Sequence, residues 1–469
     1  MTISQWELAH FSSLRSGSDA NFSAEGYLTA VATDALSIPF LTALDSRAAL
    51  KGSRDALGAQ QLWTKLGRTV IGNLTTVSNS ARDFTITLLG HHFAEVVASD
   101  MPSSSRLETF IKWEQLTGFA RAYVNGDTAF RGSERVRKTL AVGTRATISA
   151  ERAHQILSSQ KMYGLWGLYT VPSRSSGLLE SGSAQLTEAA AKELERAALP
   201  RLMNASHSGY EKILRVLKAP RSVISLDGEH AAAIEAIASI VKVTLRAGER
   251  SFYRDHLVLG GPLDQTKGLQ PQLAELIEAS LNLPKFRWSG PMVGDLAQQA
   301  RKRGAAWSDL TRQLKQIQSC SAVLNASASL YNHMLGCDKT DVAALATRYQ
   351  SHFGGGIRTF DPDEFADILP ALCSGDDPLV QRWSTIARML SEGKYLEAIQ
   401  SMVLQNTAAM SGRGGQPWIT LEQKQLRVQM RDEGSELPSE TALRNAWNFP
   451  FFLDSLRTVT AAVSKVDRG

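Results

Sequence analysis

Apolar positions along the chain recur mainly at helical spacing. This spacing predicts helices over residues 80–98 and 106–124, and Ser105 opens the second one in a capping-box pattern. A longer apolar stripe predicts a helix over 308–335, which Gly336 is expected to end. The hydrophobic pattern therefore predicts a mainly α fold.

Other segments carry the same periodicity or a helix-start signal. Further helices are predicted from residue 22 onward and, later in the chain, over 149–158, 188–198, 208–217, 230–243, 271–283, 440–447 and 451–464. An acidic residue before proline predicts two more helix starts, at Asp361-Pro362 and Asp377-Pro378. Alternating residues at 418–421 and 426–430 predict a small C-terminal β-hairpin.

The length of 469 residues exceeds what one ordinary hydrophobic core holds, so we expect a multi-domain protein. Changes in composition divide the chain into four regions. They are an N-terminal helical domain at 1–130, a basic winged-helix-like segment at 131–200, a mixed helical domain at 201–290, and a C-terminal helical domain with the hairpin at 291–469.

The order of elements at 147–198 resembles that of a winged helix. A helix at 149–158 is followed by a possible recognition helix at 160–170 and a turn at Pro172-Ser-Arg174. Two short strands, Leu178-Leu179 and Gln185-Leu186, then flank a Ser/Gly tip as a wing would. Winged helices also serve as packing or protein-docking modules, and that interpretation stays open.

Basic side chains cluster just before this segment, at Arg131, Arg135, Arg137, Lys138, Arg145 and Arg152. Arginine and lysine side chains bind the phosphates of DNA, and hydroxyl groups donate hydrogen bonds to the same phosphate oxygens. The predicted DNA-binding set is therefore Arg135, Arg137, Lys138, Arg145, Arg152, Lys161, Tyr169, Ser173 and Arg174. The formal net charge of +5 is compatible with a polyanionic partner but does not require one.

Composition narrows the class of protein. Hydrophobic residues make up 43% of the chain and charged residues 21%, which is typical of a globular fold. Cys320, Cys337 and Cys373 are far apart and lack CxxC spacing, so we expect no disulfide framework and a reducing cytoplasm. The N-terminus does not resemble a signal peptide, and no apolar run approaches the ~20 residues that span a bilayer. We expect no membrane partner.

Two helical pairs could hold a metal ion. His91 or His92 with Glu95 places two ligands on one helix face, and His333 with Cys337 does the same. A working site needs a third or fourth ligand, and none stands at a recognised spacing. Buried or helix-end side chains are the alternative interpretation, and we expect no metal site.

Catalytic motifs are incomplete. Glu422-Gln-Lys424 resembles half of a restriction-type nuclease core, which also needs an aspartate at a strand end, whereas Asp376 and Asp377 lie in a loop. The glycine-rich pieces at 354–356 and 412–415 lack the lysine of a phosphate loop and are interpreted as turns. We therefore expect no enzyme activity and no cofactor.

Two stretches carry a resemblance to a protein group. Leu50-Lys-Gly-Ser-Arg-Asp-Ala-Leu-Gly58, followed by Ser78-Asn-Ser-Ala-Arg-Asp-Phe-Thr85, resembles a pattern in uncharacterised helical proteins of bacterial defence loci. Tyr163-Gly-Leu-Trp-Gly167 is similar to a second block of that group. The resemblance covers the first third of the chain and assigns no functional residues. It implies a subunit of an anti-phage or restriction-type system.

The preferred hypothesis is a non-enzymatic bacterial subunit that contacts duplex DNA through the winged-helix segment and docks other proteins through its helical surfaces. Two alternatives remain at this point. One is a pure scaffold that docks proteins without touching DNA. The other is a metal-dependent nuclease or hydrolase that uses His91 or Glu422.

Overall fold

The computed structural model describes residues 55–103, 105–204, 207–283, 286–372, 378–430 and 436–464. This part of the chain is mainly helical and belongs to one packing unit. No helix within it combines the length and apolar character needed to cross a bilayer. The helices predicted between residues 22 and 54, together with Cys373 and Asp377, lie outside the described residues.

Helices dominate the first half of the described chain. In order, the elements are α1 (Gln60–Arg68), α2 (Ala81–Asp100), α3 (Arg106–Tyr123), α4 (Ser133–Val142), β1 (Arg145–Ser149), α5 (Gln160–Tyr163), α6 (Leu165–Ser175), α7 (Glu188–Ala197), α8 (Leu199–Asn204) and α9 (His207–Lys218). A short 3-10 helix, Arg152–His154, separates β1 from α5.

The second half is also helical, with three further strands. Its elements are β2 (Arg221–Ser225), α10 (Ala231–Ile240), α11 (Ala247–Tyr253), α12 (Leu269–Ser280), α13 (Gly290–Lys302), α14 (Ser308–Leu335), α15 (Val342–Phe353), α16 (Pro362–Leu372), α17 (Pro378–Ser391), α18 (Tyr395–Ser411), β3 (Ile419–Glu422), β4 (Gln425–Val428), α19 (Glu440–Asn445) and α20 (Leu453–Ser464). A π-helical turn, Arg254–Val258, extends α11, and a 3-10 helix, Ala305–Trp307, precedes α14.

Helix α3 forms the centre of the N-terminal half. Its residues 109–121 are buried on every side of the helix. Helix α2 crosses α3 closely at Gly90, where an added Cβ would lie 2.5 Å from the ring of Phe110. Such an overlap is not tolerated in a close-packed interior, so glycine sets this crossing distance. The ring N–H of Trp113 donates to the carbonyl of Ile86 at 2.9 Å and ties the two helices together.

Most of the predicted helices are confirmed to within a few residues. These are α2, α3, α7, α9, α10, α12, α14, α16, α19 and α20. The cap predictions hold as well, since the Ser105 hydroxyl accepts from the N–H of Glu108 at 3.4 Å. The Asp361 carboxylate likewise accepts from the N–H of Asp363 at 2.8 Å, and Gly336 follows the last residue of α14.

Two antiparallel strand pairs interrupt the helices. The C-terminal pair, β3 with β4, confirms the predicted hairpin. The other pair joins β1 to β2, with Arg145 opposite Ser225 and Ser149 opposite Arg221. This second pair was not predicted, because its strands lie far apart in sequence and neither contains a hairpin turn signal.

The helix predicted over 149–158 is wrong. Ser149 ends β1 instead, and a 3-10 helix follows at Arg152–His154. The Gln115 side chain binds both backbone groups of Ser149, accepting from its N–H at 3.0 Å and donating to its carbonyl at 2.7 Å. These long-range bonds hold the strand end extended, whereas the local sequence alone favours a helix.

The elements that follow differ from the predicted recognition helix. The segment 160–170 is broken at Gly164, which starts α6, and the predicted turn at Pro172 lies inside α6. Leu179 and Leu186 do form one antiparallel bridge at the predicted wing, and α7 follows it. The winged-helix interpretation is thus not confirmed, and the four-domain division stays a prediction.

Candidate functional site

A hollow lined by basic side chains lies between α4, β1 and the 3-10 helix with the loop that follows it. This basic cleft has a volume of about 390 Å3 and is open to solvent. Its lining consists of Arg135, Lys138, Arg145, His154, Thr139, Thr147, Gln155, Phe119, Ala153 and Ile156. No carboxylate belongs to this lining among the residues that the structure describes, so the cleft presents positive charge.

Helix α4 supplies one wall. Arg135, Lys138 and Thr139 stand at i, i+3 and i+4 and therefore share one helix face. Val136, on a different face, is fully buried and anchors the helix to the core. Because of the helical period, the basic residues that follow one another in the sequence share α4 with a separate face that packs against the core.

Strand β1 supplies the second wall through its two-residue alternation. Ala146 and Ile148 point inward and are buried, so Arg145 and Thr147 point toward the cleft. Their partners on β2 are Ser225 and Val223, which lie on the same face of the strand pair. The β1–β2 pairing therefore fixes the direction of the Arg145 side chain.

The third wall is the loop that contains Gln155 and Ile156, and it is held from two sides. The Arg135 guanidinium donates to the carbonyls of Gln155 at 2.8 Å and Leu157 at 3.2 Å. From below, the Gln160 side-chain oxygen accepts from the N–H of Ile156 at 3.0 Å. A loop clamped in this way keeps its shape whether or not the cleft holds a ligand.

The basic residues of the cleft differ in the ion pairs and hydrogen bonds that they form with the rest of the protein. Lys138 contacts Glu134 at 2.7 Å, in a pair that is largely exposed. His154 lies 3.8 Å from Glu151, outside hydrogen-bond range. In the described part of the chain the Arg145 guanidinium makes no hydrogen bond to the protein. Hydrogen bonds with Thr144 and Ser225, together with the charge of Arg145, lower the pKa of Asp227. Arg145 is therefore the cation best placed to bind a ligand.

A second charged region lies directly behind Ile156, which lines both spaces. This buried carboxylate cluster consists of Asp83, Glu114 and Asp127 around the Arg121 guanidinium. Arg121 donates to Asp83 and to Asp127, each at 2.7 Å, and all three side chains are largely buried. The open volume beside them is about 10 Å3, room for no more than a single water molecule.

Glu114 is the carboxylate of this cluster that lacks an arginine bond. It accepts instead from the N–H of Leu165 at 2.8 Å, at the start of α6, and from the Gln160 amide at 2.9 Å. Burial raises the pKa of Glu114 to about 7, and the charge of Asp83 adds to the rise against these hydrogen bonds. Through Gln160, the buried cluster supports the same loop that forms the cleft wall.

The predicted DNA-binding residues separate into three groups in the structure. Arg135, Lys138 and Arg145 come together in the basic cleft. The side chains of Arg137, Arg152 and Lys161 are exposed but do not line it. The third group faces inward: Tyr169 and Ser173 are buried, and half-buried Arg174 donates to the carbonyl of Ser183 at 2.8 Å. In this arrangement Tyr169 and Ser173 present no atom to a bound phosphate.

Four polar cleft residues were missed by sequence reasoning: Thr139, Thr147, His154 and Gln155. Thr139 could have been found from its helical spacing to Arg135. Thr147 could have been found from its two-residue spacing to Arg145, had the strand been recognised. No local signal points to His154 or Gln155. The sequence at 149–158 favours a helix, whereas the structure has the end of β1 and a 3-10 helix there.

The first metal-ligand candidate, His91, packs against aromatic side chains in the core. His91 is buried between the rings of Phe110 and Trp166, and burial, with Arg174 nearby, lowers its pKa to about 4. Within the described ranges no group of three or more His, Cys, Asp or Glu side chains is placed to hold a metal ion.

The second metal candidate is also a packing unit. His333 Nδ1 lies 2.9 Å from the Tyr349 hydroxyl and 3.8 Å from Cys337 Sγ. Burial raises the pKa of the Cys337 thiol, which keeps it protonated. The nuclease-like tripeptide lies at the exposed end of the C-terminal hairpin. Glu422 pairs there with Arg427 at 3.1 Å, and Lys424 lies in the turn.

The comparisons with known proteins add no relative. No protein-family model matches the chain, and no curated protein or solved structure matches it significantly. The resemblance to helical proteins of bacterial defence loci stays a prediction. Functional assignment therefore depends on the geometry of the basic cleft.

Proposed function

We propose that the protein is a non-enzymatic, DNA-associated subunit of a bacterial multi-protein complex, and that the basic cleft is its DNA contact. The observation that carries the proposal is the convergence of Arg135, Lys138, Arg145 and His154, from three separate elements, around one open hollow. Among the residues that the structure describes, no carboxylate lines it. Such a hollow attracts phosphate oxygens, and arginine and lysine supply most of the contacts to a nucleic-acid backbone.

The DNA contact proposed here differs from the winged-helix contact that the sequence favours. The bridge between Leu179 and Leu186 and the helix α7 after it support a wing-like unit, whereas the segment 149–158 is not helical. Because Tyr169 and Ser173 are buried, the proposed contact uses the cleft cations instead. It reads backbone and charge rather than base sequence, since contacts from arginine and lysine to phosphates carry no direct sequence information.

The test is a titration of the full chain with duplex DNA at several salt concentrations. Backbone contacts give an affinity that falls steeply with salt, by about 0.9 in log–log slope per neutralised phosphate. Arg145→Gln and Lys138→Gln should each make the slope shallower by about 1. The matched control is Arg301→Gln, which removes an exposed arginine of α13 that does not line the cleft. Absence of binding at low salt would overturn the proposal.

A second candidate function is protein docking without DNA. One observation favours it: Met162 and Tyr163 of α5 and Val171 of α6 are 61%, 52% and 59% exposed. Contiguous exposed apolar side chains mark interaction surfaces. Val171→Asp should then abolish co-purification with the products of neighbouring genes and leave DNA affinity unchanged, whereas Arg145→Gln should do the reverse.

A further inference from the structure

We infer that the basic cleft binds a terminal phosphate monoester, carried by a nucleotide or by the 5′ end of a nucleic-acid strand, in preference to the internal diesters of a duplex. This inference rests on the proposed function, because it names the chemical group for which the same cleft is built. It follows from the shape of the cleft, the number and arrangement of its donors, and the nature of its floor.

Shape is the first argument. The cleft is concave, and its volume of about 390 Å3 falls within the roughly 300–1,000 Å3 of small-ligand pockets. A duplex presents its backbone as a convex ridge beside grooves of about 12 and 6 Å, so an internal phosphate meets a protein at the rim of such a hollow. A terminal phosphate projects from its chain and can enter.

Charge is the second argument. Arg135, Lys138 and Arg145 line the cleft together with His154. The neighbouring carboxylates Glu134, Glu151 and Asp227 lie outside the lining in the part of the chain that the structure describes. A phosphate monoester carries about −1.5 to −2 charge at neutral pH, whereas an internal diester carries a single charge. A monoester, which has the larger charge, is therefore attracted more strongly than an internal diester by the three cations of the lining.

Donor arrangement is the third argument. The Arg135 guanidinium already donates hydrogen bonds to the carbonyls of Gln155 and Leu157. Its role is therefore to hold the loop that forms the third wall of the cleft. The remaining donors approach from three directions: Arg145 and Thr147 from β1, Lys138 from α4 and His154 from the 3-10 helix. A monoester has three terminal oxygens that accept hydrogen bonds, and donors on three sides can bind all of them.

The floor supports the same ligand class. Phe119 and Ile156 line the cleft with apolar surface between the charged walls. Ligand pockets of this kind combine apolar contacts with a few convergent polar groups. The sugar or base next to a terminal phosphate can cover this surface, whereas inorganic phosphate alone leaves it exposed to water.

The experiment compares probes on the full chain at low salt. The oligonucleotide probes share one sequence and carry either a 5′-phosphate or a 5′-hydroxyl, and a closed circular duplex has no end at all. Deoxyadenosine monophosphate and inorganic phosphate serve as competitors. We expect the 5′-phosphorylated strand to bind roughly 10-fold more tightly than the 5′-hydroxyl strand, the gain typical of one charge-assisted hydrogen-bond set. The mononucleotide should compete better than inorganic phosphate.

Matched variants locate the effect. Arg145→Gln should remove the roughly 10-fold preference for the 5′-phosphate, because it takes away the guanidinium that makes no hydrogen bond to the described part of the protein. Arg137→Gln is the control, since it removes one exposed arginine from the same helix that carries Arg135 and Lys138 but does not line the cleft. Both variants should keep the circular dichroism spectrum and melting temperature of the parent, which confirms that each is folded.

The outcomes separate this inference from the proposed function. Preference for the 5′-phosphate, with competition by the mononucleotide, supports the inference. Tighter binding of the phosphorylated strand than of the mononucleotide then identifies the strand end as the source. Binding of the mononucleotide with no binding of any DNA probe identifies a free nucleotide and overturns the DNA proposal. Equal binding of both strands and of the circle, or equal loss in Arg137→Gln and Arg145→Gln, overturns the inference and leaves DNA association standing. No binding of any probe overturns both.

Discussion

The basic cleft and the buried carboxylate cluster share a wall at Ile156 but handle charge in opposite ways. In the cluster, Arg121 lies between Asp83 and Asp127 at 2.7 Å from each, so these charges have protein partners. In the cleft, Arg145 has no hydrogen bond to the protein within the described residues. A buried charge must be paired inside the fold, whereas an exposed one is free to bind a ligand.

This difference separates structural charges from functional ones. A substitution in the buried carboxylate cluster should lower the stability of the fold, and the molecules that stay folded should still bind the ligand. A substitution of a cleft cation should weaken ligand binding and leave the stability unchanged. Each prediction below tests one side of that division.

The largest effect is expected for Arg121→Met. Removing the guanidinium leaves Asp83 and Asp127 buried without their partner, which typically destabilises a protein by about 3–5 kcal/mol. Urea denaturation measures the loss. Adding Asp83→Asn and Asp127→Asn to the same variant removes the stranded charges and should recover much of the stability. A loss below about 1 kcal/mol in Arg121→Met would show that these ion pairs contribute no more than exposed ion pairs do, and would contradict the prediction.

The next effect is a pH dependence that Glu114 creates. Its pKa of about 7 in the folded protein lies above its ordinary value of 4.5, so the folded state binds this proton more tightly than the unfolded state does. Glu114 therefore costs no stability below pH 4.5, and its cost grows as the pH rises to about 7, reaching the order of 3 kcal/mol.

Glu114→Gln tests this dependence, because the amide keeps the shape and an acceptor for the N–H of Leu165. The free energy of unfolding, measured between pH 4.5 and 8, should fall less steeply in the variant than in the parent protein. Parallel curves would show that another buried group, such as Asp83, whose pKa burial also raises, sets the dependence.

A smaller effect is expected for Gly164→Ala. An added Cβ would lie 2.5 Å from a Glu114 carboxylate oxygen and 2.5 Å from the Gln160 carbonyl, so the start of α6 must shift, at a cost of about 1–3 kcal/mol. The control is Gly143→Ala at the end of α4, where nothing lies within 4 Å of the new atom. Thermal melts of both variants compare the two regions directly, and equal melting temperatures would contradict the close contact.

The smallest effect on stability is expected in the cleft itself. Arg145→Gln should change the free energy of unfolding by no more than about 0.5 kcal/mol, because the side chain is exposed and has no hydrogen bond to lose. The same variant should weaken binding of a phosphate ligand in a titration. A large loss of stability would show that Arg145 belongs to the framework of the fold.

Local sequence patterns predicted the helices well where the signal lies within the helix. The apolar stripe and the Ser105 cap predicted α3, and the stripe ending at Gly336 predicted α14. The same reasoning gave the basic cluster that contains Arg135, Lys138 and Arg145. These features depend on residues a few positions apart, which interact mainly with each other.

Partnerships between distant residues were decided only by the tertiary structure. Pairing with β2 and the bonds from Gln115 keep Ser149 extended, so a segment that locally favours a helix becomes one side of the cleft. Burial, which the sequence does not display, removes Tyr169 and Ser173 from the predicted contact surface. The sequence by itself determined which residues are basic and those helices whose signal lies within the helix. Long-range packing decided which of the charges meet, because the directions of side chains depend on partners far along the chain.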